Sequence, residues 1–290
     1  MKKVSVIIPL YNQSAFLLEA VDSVRASTYK NIEIIVVNDE STDITEDSLR
    51  EIIPEGVKII NQSHMGVCEA RNRGILASEG EYILTLDADD KIHPDFINKA
   101  VEILEKNENI GIVYAKAEYF GEKQGEWYFP KYNKITMLIN NLIPSFGMFR
   151  KKDWAAAGGY KKEMLDGGED WEFWISLIEL GIEPYRIEET LLYYRRHSNS
   201  KTSGDYEQLH WKIFSKILIL HSNLYSENIR ELAFPLFYRL FKEQKLKEQV
   251  KYLVKLFIRA FLHPITRIIN RKTLKKIMHI ANNTKININD

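Results

Sequence analysis

The sequence predicts an α/β fold: a mostly parallel sheet with helices on both faces, followed by a C-terminal α-helical extension. Three observations predict it. Short apolar runs alternate with stretches whose apolar residues recur at helical spacing, the pattern of strand-helix-strand units. Polar clusters fall directly after the first, second and fourth runs, where sheets of this kind bind ligands. The end of the chain then changes character. Residues 205–290 hold 16 Lys+Arg against 7 Asp+Glu, although the 290-residue chain carries 40 of each.

The first strand is Val4–Ile8, mostly apolar as buried parallel strands are. Pro9 is expected to stop it. Ser14 is expected to cap a helix carrying Leu17, Ala20, Val21 and Val24 at helical spacing. Glu33–Val37 is the second strand. It ends at Asn38-Asp39-Glu40-Ser41-Thr42-Asp43, before a helix from about Thr45 to Ile52. Val57–Ile60 is the third strand, followed by a helix through Ala70 to Leu76. The fourth, Tyr82–Leu86, follows the turn at Gly80. Pro94 is expected to open a helix with Phe96, Val101 and Leu104, and Ile110–Tyr114 is a fifth strand. Residues 115–165 read as less regular, with a turn at Gly158-Gly159-Tyr160. A helix after Gly168 carries Trp174, Ile175, Leu177 and Ile178. Leu191–Tyr194 is a last strand, delivering Arg195-Arg196-His197.

The fourth strand ends in Asp87-Ala88-Asp89-Asp90. Three like charges held together need a compensating cation or donor groups. Hard cations such as Mg2+ and Mn2+ prefer oxygen ligands. Asp87 and Asp89 would share one face if the strand continued. An acidic turn, with Asp90 capping toward Pro94, would explain the same residues. The clusters Tyr11-Asn12, Asp39 and Asp87-Ala88-Asp89 all follow strands, which favours a nucleotide site. Neither a dinucleotide fingerprint nor a phosphate loop ending in Gly-Lys-Ser/Thr occurs. A pyrophosphate would therefore rely on a metal and on cations such as Arg71, Arg195, Arg196 and His197.

Two further stretches bear on the site. Trp127-Tyr128-Phe129 with Tyr132 is either local core or a stacking wall for a sugar or acceptor. Glu169 and Asp170 precede a helix, where acids favour the N-terminus and where a general base could equally be placed. Trp171 and Trp127 are the candidates for the acceptor side.

Composition sets limits. One cysteine, Cys68, rules out an internal disulfide. No run of about 18 uncharged apolar residues occurs, so no membrane span is expected. Met1-Lys2-Lys3 leads into the first strand without a cleavage pattern, and a cytoplasmic protein is expected. The tail repeats Lys247, Lys251, Lys255 and Arg259 every four positions, beside a face of Val250, Leu253, Val254, Phe257 and Phe261. It would suit an anionic membrane surface, a solvated helix face or a homodimer contact. The acidic remainder argues against nucleic acid.

Together the motifs resemble the family-two inverting glycosyltransferases with the GT-A, Rossmann-like fold. The resemblance covers about residues 3–200. It rests on Val6-Ile7-Ile8-Pro9-Leu10-Tyr11-Asn12, Val36-Val37-Asn38-Asp39-Glu40-Ser41-Thr42-Asp43, Ala70-Arg71-Asn72-Arg73-Gly74, Leu86-Asp87-Ala88-Asp89-Asp90, Gly168-Glu169-Asp170-Trp171 and Tyr194-Arg195-Arg196-His197. It implies a 1–204 catalytic domain, with a nucleotide-binding half at 1–90 and an acceptor half at 91–204, and a 205–290 tail outside it. A sugar would pass with inversion from a nucleotide donor, commonly a UDP-sugar, to a glycan or lipid-linked acceptor. Pro9, Tyr11, Asn12 and Asp39 would line the base and ribose pocket, and Arg71 would sit near the base or diphosphate. Asp87 and Ala88 would reach the ribose side, and Asp87 the metal as well. Asp89 would bind Mn2+ or Mg2+, with His197 a second metal ligand. Arg196 would close over the diphosphate. Asp170 would be the general base, with Glu169 beside it. Many relatives have Asp-Asp-Gly-Ser where this chain has Asn38-Asp39-Glu40-Ser41, so the turn and the base contact are open to change. A non-catalytic nucleotide-sugar-binding subunit on the same fold, and a phosphoryl-transfer signalling domain, are the rival classes. The first needs no base, and the second leaves Glu169-Asp170 unexplained.

Overall fold

The computed structural model describes residues 1–197 and 206–242. In order, the chain forms β1 (Val4–Leu10), α1 (Ser14–Arg25), β2 (Ile32–Asp39), α2 (Glu46–Ile52), β3 (Lys58–Gln62), α3 (Val67–Leu76) and β4 (Tyr82–Thr85). There follow β5 (Lys91–Ile92), α4 (Phe96–Lys106), β6 (Ile110–Gly121), β7 (Gly125–Trp127), α5 (Lys134–Met137), β8 (Met148–Arg150) and α6 (Lys151–Ala157). The last elements are α7 (Glu169–Glu179), β9 (Glu183–Arg196), α8 (Tyr206–Leu220), α9 (Ser222–Glu227) and α10 (Ile229–Lys242).

One sheet runs β3-β2-β1-β4-β8-β6-β9-β5, with β7 beside β6. The first four strands are parallel. β8 then runs antiparallel to both β4 and β6, while β6 and β9 run parallel to each other. The parallel portion is thus the first half of a mixed sheet. Both of its faces are covered, which is why β1 reads as an unbroken apolar run. Val6 and Ile8 belong to the core shared with Leu17 and Val21 of α1. Ile7 points the other way, onto α3. A Cβ at Gly74 would lie 2.4 Å from an Ile7 methyl, so only glycine lets α3 lie so close.

Several boundaries differ from the sequence reading. Pro9 lies inside β1, paired in register with Val37. The ladder to β4 ends earlier, at Ile7–Thr85, so Pro9 is flanked on one side only and its missing N–H is tolerated. Ser14 is the first residue of α1 rather than its cap. Its N–H donates to Asp43 Oδ2 at 2.8 Å, so a neighbouring loop serves the helix end. Asp90 caps no helix: α4 begins at Phe96 with Asp95 before it, and Asp90 Oδ1 instead accepts the Arg195 N–H at 2.8 Å. β6 runs on to Gly121, through residues that read as irregular.

The chain divides into two units, Met1–His221 and Ser222–Asp290. α8 therefore belongs with the sheet. His210 stacks on Trp171 of α7, and Lys212 and Lys216 both pair with Asp166 at 2.9 Å. His221, just past α8, contacts Glu179 at 2.6 Å and the fully buried Glu172 at 3.1 Å. Among the described residues, no helix is long and apolar enough to cross a membrane. The basic stripe at Lys247, Lys251, Lys255 and Arg259 lies outside them.

Candidate active site

The site forms at the carboxyl ends of β1, β2 and β4, where loops emerge from a packed sheet and meet α7 and the end of β9. After β1, Asn12 takes a left-handed conformation (φ 53°), and its Oδ1 accepts the Thr42 N–H at 2.7 Å. The β1 and β2 loops are therefore tied together. Tyr11 is 43% exposed and stacks on His64 with ring centroids 4.2 Å apart. Asp39 is buried, and it organises the loop after β3. Its Oδ1 accepts Gln62 Nε2 at 2.7 Å and the Met65 N–H at 2.8 Å, and its Oδ2 accepts the Gly66 N–H at 2.9 Å. Glu40 adopts φ 59°. A glutamate thus takes a left-handed position that favours glycine, and its Oε2 accepts the His64 N–H at 2.9 Å.

β4 ends at Thr85, and the carboxylates sit in the loop beyond it, not along a continuing strand. Asp87 Oδ1 pairs with Arg71 Nη2 at 2.7 Å, and its Oδ2 accepts Ser145 Oγ at 3.2 Å. Arg71 is 1% exposed, and its other arm reaches Glu169 Oε1 at 3.0 Å. The Tyr160 ring lies 5.3 Å from the guanidinium. Arg71 therefore bridges two carboxylates from distant segments. Both arms of the guanidinium are engaged by carboxylates within the protein. Ala88 is fully buried, beneath the carboxylates.

Asp89 Oδ2 lies 3.1 Å from His197 Nε2. Burial and the Asp87 charge raise the Asp89 pKa, while His197 pulls it back. Burial raises Asp90 well above the usual carboxylate range. Arg195 builds this corner: its Nε donates to the Asp89 carbonyl at 2.9 Å, and its guanidinium lies over Phe16 and Phe120. It also pairs with Glu19. Arg196 and His197 end the strand at this rim.

Asp170 lies in the first turn of α7, which favours a negative charge. Its Oδ1 accepts the Trp171 N–H at 2.8 Å, and its Oδ2 accepts Asn141 Nδ2 at 2.9 Å. Burial first, then the neighbouring Glu169 charge, push its pKa up to about 7, against the pull of Arg71. A carboxylate tuned there can take a proton near neutral pH. Cys68 is no competing nucleophile, since burial pushes its thiol up to about 12.

Two sequence candidates change place. Trp171 is core: it is 3% exposed, its indole N–H donates to the Met137 carbonyl at 2.7 Å, and its ring packs on His210. It offers no face to an acceptor. Trp127 is half-buried in a cluster with Phe129 (4.4 Å) and Tyr194 (4.3 Å), so its ring is largely engaged. Sequence reasoning missed His64, Ser145 and Asn141. Each sits in an irregular loop with no periodicity or motif to mark it.

A divalent cation can be tested against the donors present. No group of three or more His, Cys, Asp or Glu able to hold a metal occurs among the described residues. Asp87 is occupied by Arg71. Asp89 and His197 face each other at 3.1 Å, one oxygen and one nitrogen donor, both partly exposed. Mg2+ in nucleotide sites is commonly held by one or two protein ligands with phosphate oxygens and water completing the shell. The pair fits that role for Mg2+ or Mn2+.

Comparison with known proteins bears on family and fold. The model of the family "Glycosyl transferase family 2" matches residues 5–161. An uncharacterized glycosyltransferase of Haemophilus influenzae is 31% identical over 69% of this chain and 67% of its own length. One from Rickettsia typhi is 34% identical over 71% and 68%. In fold, the chain resembles S. aureus TarS 1-349, crystallised in complex with UDP-GlcNAc. The TM-score is 0.63 at 18% identity, covering 97% of this chain and 87% of that one. An α/β GT-A sheet with its carboxylates gathered at the strand ends, and a family match over more than half its length, place this chain in glycosyl transferase family 2 as a glycosyltransferase.

Proposed function

We propose that this chain is a metal-dependent, inverting transferase that moves a sugar from a UDP-sugar to a hydroxyl of a glycan or lipid-linked acceptor. The setting is bacterial-type surface polysaccharide synthesis at the cytoplasmic leaflet. One observation carries the reading. Arg71 links Asp87 to Glu169, so the donor-side loop and the Asp170 helix form one ion-paired unit at the sheet's rim.

An acceptor hydroxyl is a weak nucleophile, and Asp170 would accept its proton as attack proceeds. Inversion needs that base on the face opposite the leaving group. Glu169 is held by Arg71 at 3.0 Å, so its carboxylate is engaged within the protein beside Asp170. Pro9, Tyr11, Asn12 and Asp39 would shape the base and ribose pocket, with Asp39 acting through the 62–66 loop. Arg196 would approach the diphosphate. Mn2+ or Mg2+ held by Asp89 and His197 would offset the charge that gathers on the leaving diphosphate. The donor assignment is supported by the neighbour crystallised with UDP-GlcNAc. A non-catalytic binding subunit would have no use for a base tuned near neutrality.

Slow donor hydrolysis needs no acceptor, and it tests the reading directly. Across a panel of UDP-sugars, one should release UDP in the presence of Mn2+ or Mg2+. EDTA should abolish the release, and added metal should restore it. Turnover unaffected by EDTA would contradict the metal, and no release from any donor would contradict the transferase reading.

A further inference from the structure

The segment between α5 and β8 carries two polar side chains that reach opposite parts of the site. Ser145 Oγ donates to Asp87, and Asn141 Nδ2 donates to Asp170. Leu142 and Ile143 between them are buried, at 3% and 0% exposure, so the segment is anchored in the core. Asn141 is fixed in orientation as well as in place. Its Oδ1 accepts the Ile143 N–H at 3.2 Å, which turns its NH2 toward Asp170. Among the described residues, Asn141 is the side chain that donates to Asp170.

We propose that Asn141 is a positioning residue for the reaction: its amide holds one oxygen of Asp170, setting the orientation of the carboxylate and favouring its ionised form. The inference rests on Asp170 being the base. Without Asn141, the carboxylate would keep only the N–H of its own neighbour Trp171. It would be free to turn, and the balance of charge would worsen. Glu169 and Asp87 disfavour ionisation of Asp170, and Arg71 favours it. The Tyr160 hydroxyl is neutral, since burial raises its pKa, and His210 of α8 stacks on Trp171 next to the site. A donated hydrogen bond stabilises the charged form. Its loss should therefore raise the pKa and shift the active form to higher pH.

Carboxyl-resolved 13C NMR on the full chain tests this without a substrate. The Asp170 resonance is the one missing from Asp170→Asn. Its midpoint, expected at about 7 in the native protein, should rise by about one pH unit in Asn141→Leu, the size of one lost hydrogen bond. In Asn141→Asp, which keeps the shape but adds a like charge, it should rise at least as far. Ser145→Ala should leave it in place. Hydrolysis of the UDP-sugar that the native enzyme cleaves fastest should fall about fivefold at pH 7 in Asn141→Leu and recover at higher pH. An unmoved midpoint in Asn141→Asp, and in Asn141→Leu where it folds, would overturn the proposal. Full hydrolysis by Asp170→Asn would instead overturn the base assignment, leaving the titration to judge Asn141's hold on the carboxylate.

Discussion

At the residue scale, Asp170 accepts from the Trp171 N–H and from Asn141 Nδ2, while Arg71 ties Asp87 to Glu169. In the sequence, Asp87 and Asp89 stand out because like charges crowded at a strand end need compensation, and Glu169 and Asp170 because they follow two glycines at a helix start. Their order along the chain then pointed to one site. What a residue touches across long sequence separations cannot be read that way. Arg71, read as lying near the base or the diphosphate, bridges Asp87 and Glu169, partners 16 and 98 positions away that its place in the sequence does not announce. Trp171 followed the base in sequence, but the helix turns it into the core. Glu40 shows the opposite case. The sequence leaves the turn open, and the backbone there is left-handed with a residue that rarely adopts it. Asn141 and Ser145 gave no signal, because a polar residue in an irregular loop looks the same whether or not it holds a catalytic group.

At the scale of elements, the long apolar runs identified β1, β2 and β4, and helical spacing found α1 and α4. The short strands β5, β7 and β8, of 2, 3 and 3 residues, carry too little pattern to show a period. α8 is joined to α7 by a feature that only the coordinates reveal, the contacts of His221 with Glu172 and Glu179. Burial works against a charge on His221, but the two carboxylates outweigh it and raise its pKa above 6.5. A raised pKa means that the stabilisation is fully present below the ordinary value and is lost as pH rises through the raised one. His221→Gln should therefore destabilise the protein by about 3 kcal/mol near pH 6, because Glu172 is left buried without a cationic partner. Urea unfolding at pH 6 and pH 9 checks this: the gap between the two proteins should shrink at the higher pH. An equal gap at both would mean that the charge on His221 contributes nothing.

At the scale of the molecule, sheet order does the assembling. β4 lies beside β1, and β9 returns along β6, so the ends of strands far apart in sequence meet at one rim. The alternation of elements made the parallel half foreseeable. The antiparallel entry of β8 was not, because a three-residue strand reverses the sheet's direction without leaving a trace in the pattern. The basic charge of residues 205–290 concerns the molecule as a whole, since it balances an acidic remainder. We propose that this tail attaches to anionic lipid near a lipid-linked acceptor. The full chain should float with vesicles containing phosphatidylserine and stay behind with phosphatidylcholine alone; equal recovery from both would contradict attachment by charge.

The proposed roles at this rim are tested most directly by Asp170→Asn, which removes the proposed proton acceptor and keeps the shape. UDP binding by calorimetry should stay within about twofold of native, while turnover falls by roughly 10²–10⁴. Turnover close to native with UDP binding intact would show that Asp170 is not the base.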